Sequence, residues 1–489
     1  MNFSRKEFLK ITVYTGLAAL LNSCGIETEQ ESEKKKSPLD SSENKKPNPI
    51  FKKRESEHVV YITQEDAAYG QLNQGFNKCI QKLPFVIALC ENEKGVQEAV
   101  LFAKENGLKI SVKSGGHCFE GFSNNDDGLV VNLSKLNAVT FDDTNIIVGP
   151  GCKLGDLYDI VLKANRILPA GSCSGVGVGG LTLGGGYGFF SRKYGLTCDS
   201  ILELEMVTAS GELINSNDHP ELLWALKGGG NGNFGIVTQF KFRTYEAPAF
   251  FQSNRFKAHN LDTQRAEEIL KCWFQVAEKL PNYCFAAFVL NGKNLTILIT
   301  NFEPLTAETE ELFLELAELT DSYKAGGKSN VDAALKVFGG QTSPILFKNA
   351  SVGLYNSFDD ISGFVSNVIQ KVISSKGFIY QINTLGGNVN NQDFEKASCY
   401  AHRSCLFLSE LQSYWQDEKK SESFLSQFKE IQNIFFEGGI TKQYVNYPSI
   451  NNPNYGNAYY GQNYTKLKEV KKMYDPEDVF SHKQSIAIT

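Results

Sequence analysis

The chemistry of this 489-residue chain gathers around glycine. Ten of its 43 glycines fall between Gly171 and Gly195. Such a run strips the backbone of side chains, so that peptide N–H groups can lie flat against a ligand. A planar, phosphorylated cofactor is one ligand that needs this surface, and a glycine-rich structural loop is the plain alternative. Gly175-Val176-Gly177-Val178-Gly179-Gly180 satisfies GxGxxG, with Asp199 about 20 residues on. A dinucleotide-binding reading of that motif needs a strand before it and a helix after it. Here Pro169-Ala170-Gly171 precedes it, and Gly184, Gly185, Gly186 and Gly188 follow, a run that opposes a helix. The cluster therefore predicts an extended segment. His117 closes Lys113-Ser114-Gly115-Gly116-His117, and Cys173 stands near the head of the glycine cluster. Taken alone, a single His reads as a hydrogen-bonded structural residue and a single Cys as a small apolar one. There is no HExxH and no zinc-like pair of CxxC motifs, so a metal site has little support.

The elements that must hold these residues alternate. Phe85 to Leu89, Ile110 to Val112, Leu129 to Leu133 and Ile146 to Val148 read as short strands. Glu93 to Asn106 and Leu154 to Ala164 carry apolar residues at helical spacing. Residues 246–440 have a different texture, with sparse glycine. Gln264 to Leu280 and Ala307 to Leu319 are amphipathic, and Cys284 to Leu290 pairs with Leu295 to Phe302 across Asn291-Gly292-Lys293-Asn294. Residues 441–489 return to the first texture and include a helix from Tyr464 to Met473. This divides the chain into 1–23, 24–57, 58–245, 246–440 and 441–489.

The motifs together resemble the berberine bridge enzyme-like family, FAD-linked oxidases of the vanillyl-alcohol-oxidase type. The resemblance rests on Lys113 to His117, on Cys173 to Gly180 with Gly184 to Gly188, on Ser191 to Gly195 and on Trp224 to Thr238. At the C-terminus Tyr444-Val445-Asn446-Tyr447, Tyr459 to Asn463 and Gln484-Ser485-Ile486 extend it. It covers residues 58–245 and 440–487, and in between only His402-Arg403 and Trp415. It implies an α+β architecture: a PCMH-type FAD-binding domain of two subdomains, completed by the C-terminal segment, with a substrate domain built on an antiparallel sheet inserted into it.

The resemblance also implies a chemistry. FAD would be held twice, through its 8α-methyl on His117 and through C6 on Cys173. Lys113, Ser114, Gly115, Gly116, Val176, Gly177, Gly179, Gly180, Gly185, Tyr187, Gly188, Gly235, Ile236, Val237, Tyr460 and Asn463 would surround it. Two electron-withdrawing attachments raise the flavin potential, which suits oxidation of alcohols. Tyr447, with Tyr444 beside it, would take the hydroxyl proton, and since tyrosine titrates near 10 a cationic or hydrogen-bonding neighbour must lower it. Glu410 and Gln412 share one face of a strand, where the carboxylate would assist the tyrosine or bind substrate hydroxyls; a solvated edge charge is the other reading. Val176 falls where a small side chain favours oxygen access, hence peroxide as product. Departures from the family pattern are Ser174-Gly175 for Pro-Thr and Ser449 for Asp.

Residues 1–23 carry Arg5, Lys6 and Lys10 before an apolar run, Ile11 to Leu21, that is too short to span a bilayer. Leu21-Asn22-Ser23-Cys24-Gly25 resembles a bacterial lipobox, implying lipidation of Cys24 and attachment to the cell envelope. Residues 25–57 are too polar to fold and predict a tether. A net charge of −6 argues against nucleic acid as a partner. The expected reaction is therefore oxidation of a CH–OH group of a carbohydrate or oligosaccharide, with oxygen as acceptor. Aromatic alcohols are the alternative substrates, a non-oxygen acceptor the alternative oxidant, and a non-enzymatic ligand-binding lipoprotein the alternative class.

Overall fold

The computed structural model describes residues 55–488; the expected export segment and Cys24, and most of the tether, lie outside the described residues. Three sheets position the site. The first has β1 (Val59–Thr63), β2 (Val86–Cys90), β3 (Ile110–Lys113) and β4 (Leu129–Asn132) in the order β1-β2-β4-β3. β2 and β3 both run parallel to β4, and parallel strands are covered on both faces. Val86, Ile87 and Ala88 accordingly have no exposed surface. The helix Glu93–Glu105 lies against this sheet, its first turn capped by Asn92, which accepts from the Gly95 N–H at 3.1 Å.

The second sheet has β5 (Val139–Asp142), β6 (Asn145–Val148), β8 (Ile201–Val207), β9 (Leu213–Asn215) and β10 (Ile236–Phe242), in the order β5-β6-β10-β8-β9. A short strand between β6 and β8, β7 (Arg166–Ile167), pairs with β11 (Tyr245–Glu246). The glycine cluster joins β7 to β8. It is not extended throughout: a six-residue helix, Val178–Leu183, stands inside it. Val178 and Leu183 bury themselves in the core, and Gly184 to Gly186 follow the helix instead of occupying it. Gly185 and Gly186 take positive φ (117° and 80°) and reverse the chain, as only glycine does without strain.

The third sheet is wholly antiparallel. β12 (Gln252–Ala258), β13 (Cys284–Asn291), β14 (Asn294–Asn301), β15 (Ser322–Lys324), β16 (Leu346–Tyr355), β17 (Phe378–Thr384) and β18 (Phe407–Trp415) run in the order β15-β12-β14-β13-β17-β18-β16. Asn291 pairs with Asn294 across a two-residue loop in which Gly292 has φ 52°. One face packs under the helices Thr263–Lys279, Ala307–Leu319, Val365–Ser374 and Ser421–Glu437. There Phe256, Phe288, Tyr380 and Leu411 meet Trp273, Phe313, Val368 and Phe428. Alternation sends the intervening side chains, Lys257, Gln381 and Glu410 among them, to the other face. Glu410 is not an edge charge, since β18 lies between β17 and β16.

The chain then returns to the cofactor side. The helix Tyr464–Tyr474 buries Lys471 completely, and its ammonium donates to the Asn233 and Phe480 carbonyls (2.8 and 2.7 Å) and pairs with Asp475 at 2.5 Å. Phe480 forms a bridge with Ile110 beside β3, and the Ile486 N–H donates to Asn233 Oδ1 at 2.9 Å.

Candidate active site

A cavity of about 620 Å³ separates the glycine-rich wall from the bare face of the third sheet. On the glycine side it is lined by Ser114, Gly115, Gly116 and His117 after β3, by Cys173, Val176, Gly177, Gly179 and Gly180 in the cluster, and by Tyr187 and Gly188 beyond it. Gly235, Ile236 and Val237 at the start of β10, with Tyr460 from the C-terminal segment, complete that wall. Opposite stand Glu410, Gln412, Gln381 and Asn383, and Tyr447 lines the cavity too.

The glycines do two jobs. A Cβ on Gly177 would come within 2.0 Å of Ser114 Oγ and 2.4 Å of Gly115 N, and one on Gly115 within 2.3 Å of Gly177 N. The two glycine segments are thus packed backbone to backbone. A Cβ on Gly180 or Gly232 would meet nothing within 4 Å, although both line the cavity. Bare backbone faces open space there, which is the fit a flat cofactor requires. Asn231 Oδ1 and His482 Nε2, on residues of the same wall, are buried with no hydrogen-bond partner among the described residues.

His117 is fixed by stacking on Phe76, ring centroids 4.2 Å apart, and Gly175 leaves room behind it: a Cβ there would lie 2.9 Å from Nε2. Burial, with Lys153 adding to it, lowers the imidazole pKa to about 4, so the ring is neutral at pH 7. Burial raises the Cys173 thiol, against the opposing N–H groups of Gly175 and Val176. One residue past Phe119, whose ring stacks on Tyr447 at 5.3 Å, the loop after His117 is tied down. Glu120 takes Lys348 of β16 in a nearly buried ion pair and accepts the Ile450 N–H at 2.8 Å. One carboxylate therefore joins the loop of His117, the strand beside Glu410 and the segment of Tyr447.

Glu410 sits at the end of an amide chain. Asn349 donates to the Tyr414 hydroxyl (2.8 Å), Tyr414 to Gln412 Oε1 (3.1 Å), and Gln412 Nε2 to Glu410 Oε2 (3.0 Å) and Gln381 Oε1 (3.1 Å). The other carboxyl oxygen, Oε1, has no partner among the described residues. Burial pushes this carboxyl up to about 8, outweighing the hydrogen bonds from Gln412 and Asn349. Tyr447 departs from expectation. Burial holds its hydroxyl well above 10, and Glu410, Tyr444, Tyr187 and Cys173 push it the same way. Neither a cation nor a hydrogen-bonding neighbour that would lower it is among the groups that shift it.

Four residues placed by motif stand outside the cavity wall. Lys113 points away from it and donates to the Leu72 and Gln74 carbonyls, both at 2.7 Å. Gly185 backs onto Tyr400. Tyr444 is buried, its hydroxyl accepting from the Gly186 N–H and from Asn446 Nδ2, both at 3.0 Å. Asn463 donates to the Cys399 carbonyl at 3.1 Å. Conversely, Asn231, His482, Gln381, Asn383, Arg255 and Lys257 line the cavity without having been singled out; Asn231 lies within the Trp224 to Thr238 motif, and no local motif marks the others.

The comparisons with known proteins agree with this geometry. Residues 84–217 match the FAD binding domain family, and residues 443–487 the family described as "Berberine and berberine like". An uncharacterized FAD-linked oxidoreductase of Bacillus subtilis, YvdP, is 29% identical over 87% of this chain and 97% of its own length. Berberine bridge enzyme-like 24 of Arabidopsis thaliana is 30% identical over 81% of this chain and 82% of its own. Among solved structures, a xylooligosaccharide oxidase of Myceliophthora thermophila, determined with xylobiose, superposes with a TM-score of 0.77 at 26% identity, covering 88% of this chain and 97% of that one. Fold and site thus define an FAD-linked oxidoreductase with the PCMH-type FAD-binding fold. Within that class the chain belongs to the berberine bridge enzyme-like family.

Proposed function

We propose that this enzyme oxidises a CH–OH group of an oligosaccharide to the carbonyl, on an FAD tethered through its 8α-methyl to His117 and through C6 to Cys173. The substrate carbon gives up a hydride and the hydroxyl a proton. The chemistry that FAD supplies when bound is acceptance of that hydride and passage of the electron pair to molecular oxygen, giving hydrogen peroxide. The hydroxyl proton goes to Glu410 Oε1. A base works best with a pKa near the working pH, and burial brings Glu410 to about 8. Tyr447, held protonated, donates to the substrate oxygen and orients it. The neutral imidazole of His117 has the free lone pair that carbon attachment needs.

One observation carries this reading: a buried carboxyl with one unpartnered oxygen, set in an amide network suited to sugar hydroxyls, opposite a wall of bare backbone. The similar oxidase solved with xylobiose supports the choice of a sugar. The test is a denaturing gel of the purified protein followed by a peroxide assay. Flavin fluorescence should survive denaturation, and its loss should require His117→Ala and Cys173→Ala together. Colourless protein overturns the tether. Turnover of aromatic alcohols alone overturns the substrate, and reduction of a dye acceptor without peroxide overturns oxygen as oxidant.

A further inference from the structure

The loop that follows His117 grips an edge strand of the third sheet from both faces. β16 is last in the strand order and pairs with β18 alone, and successive side chains alternate between its faces. On the face of Glu410 the buried Phe347 meets Phe119, ring centroids 5.6 Å apart. On the helix-covered face the next residue, Lys348, pairs with Glu120 and lies 5.9 Å from the ring of Phe428. The start of the strand is held as well. The Ile345 N–H donates to the Phe76 carbonyl at 3.1 Å, and the Lys78 N–H to the Ile345 carbonyl at 2.9 Å.

Lines from three functional residues meet at Phe347. Its ring lies 5.7 Å from that of Phe76, which stacks on His117 at 4.2 Å. It touches Phe119, which stacks on Tyr447 at 5.3 Å. It also stacks at 6.1 Å on Tyr414, whose hydroxyl leads through Gln412 to Glu410. The ion pair on the other face closes the grip. One oxygen of Glu120, Oε1, accepts both from Lys348 and from the Ile450 N–H, three residues past Tyr447 and 2.8 Å away. The two charged side chains are 8% and 9% exposed, so water competes little for either.

We propose that Glu120 is a positioning residue for both halves of the chemistry. Its Oε1, shared by Lys348 and Ile450, locks Phe119 against Phe347 and so sets His117, Tyr447 and Glu410 in one frame around the edge of β16. Attachment of the flavin and oxidation of the substrate then depend on the same acceptor oxygen. This rests on the proposed roles of those three residues, and it adds what holds them in register. Glu120 stands outside the cavity wall, so its effect passes through the residues it holds. Neither half tolerates a shift, since reacting groups displaced by about 1 Å lose on the order of 10²-fold in rate.

The test compares two double variants, E120M/K348M and E120Q/K348M. Both remove the pair of buried charges together, which is commonly close to neutral for stability. They differ in one acceptor: the amide oxygen introduced by E120Q takes the Ile450 N–H, and the E120M side chain cannot. Turnover of xylobiose is read by peroxide release. Covalent flavin is read by intact mass in the same variants carrying Cys173→Ala, so that it reports His117 alone. E120M/K348M should lower kcat at least about tenfold with KM within about twofold, and lower covalent flavin per chain at least about twofold. E120Q/K348M should melt alongside it, yet recover both readouts to within about twofold of wild type. Equal behaviour of the two variants, whether impaired or intact, overturns the positioning role, as does loss of kcat with full covalent flavin. An unmodified Glu120 chain that holds no covalent flavin sinks the tether and leaves kcat to decide. One that releases no peroxide from xylobiose sinks that substrate and leaves covalent flavin to decide.

Discussion

The two walls of the cavity are made differently. The cofactor wall is backbone: Gly115 and Gly177 in contact, Gly180 and Gly232 bare toward the space. The substrate wall is side chain: Glu410, Gln412, Gln381 and Asn383 on a rigid sheet, linked through hydrogen bonds of 2.9 to 3.1 Å. A backbone wall tolerates no variation, because almost any Cβ collides or fills the space. A side-chain wall can change its chemistry at one position while the sheet stays put. The proposed function thereby assigns recognition of the cofactor and choice of substrate to separate walls of one cavity.

That separation can be tested from both sides. The largest effect should come from the substrate wall. Glu410→Gln should lower kcat by about 10²- to 10⁴-fold, or ~3–5 kcal/mol in the barrier, with covalent flavin content unchanged. Wild-type kcat/KM should rise with pH through about 8 as the carboxyl ionises, and the variant should lack that limb. Stability should show the opposite slope. Because the folded-state pKa is raised from 4.5, the contribution of the protonated carboxyl is full below about 4.5 and lost as pH rises through about 8. Melting curves across that range should be flatter for Glu410→Gln.

Smaller effects belong to the cofactor wall. Gly177→Ala drives a Cβ into backbone and should cost about 1–3 kcal/mol in urea denaturation, with flavin lost in step. Tyr444→Phe removes the acceptor for two buried donors and should cost about 1–3 kcal/mol in the same assay, yet leave kcat within about twofold, since the ring does not line the cavity. Gly180→Ala should be the mildest and most telling. In a helix with open space beside it, alanine should stabilise the fold by up to about 1 kcal/mol while lowering the flavin-to-protein absorbance ratio. A stabilised variant with full flavin would show that Gly180 does not face the cofactor.

The sequence carried the backbone wall well because glycine leaves a local signature. Ser114 to His117 and Val176 to Gly180 are contiguous runs, and most of them line the cavity. The failures there follow from geometry finer than a motif. Lys113 is one residue from the wall and faces away, and the Val178–Leu183 helix stands where glycine density predicted extended chain. The substrate wall was mostly invisible. Arg255 and Lys257 on β12 are brought level with Asn383 and Gln381 on β17, in two neighbouring rows, only through pairing register, which no spacing reveals. Glu410 was found by the resemblance of its strand, with alternation putting it on one face with Gln412, but its burial came from β16 and β17 on either side. Tyr447 was placed at the cavity, whereas the sign of its pKa shift follows first from its burial, with Glu410, Tyr444, Tyr187 and Cys173 adding to it, and no motif shows either.

The return of the chain to its own beginning has a consequence in time. Ile110 lies beside Phe480, Asn233 is held by Lys471 and Ile486, and Tyr447 arrives only with this closing segment. Synthesis from the N-terminus therefore makes the glycine wall early and Tyr447 late. Until residues 443–487 emerge, the buried Asn233 keeps only its hydrogen bond to the Gly229 carbonyl and lacks those to Lys471 and Ile486. A prematurely terminated product would therefore lack Tyr447, Tyr459 and Tyr460, all of which line the cavity.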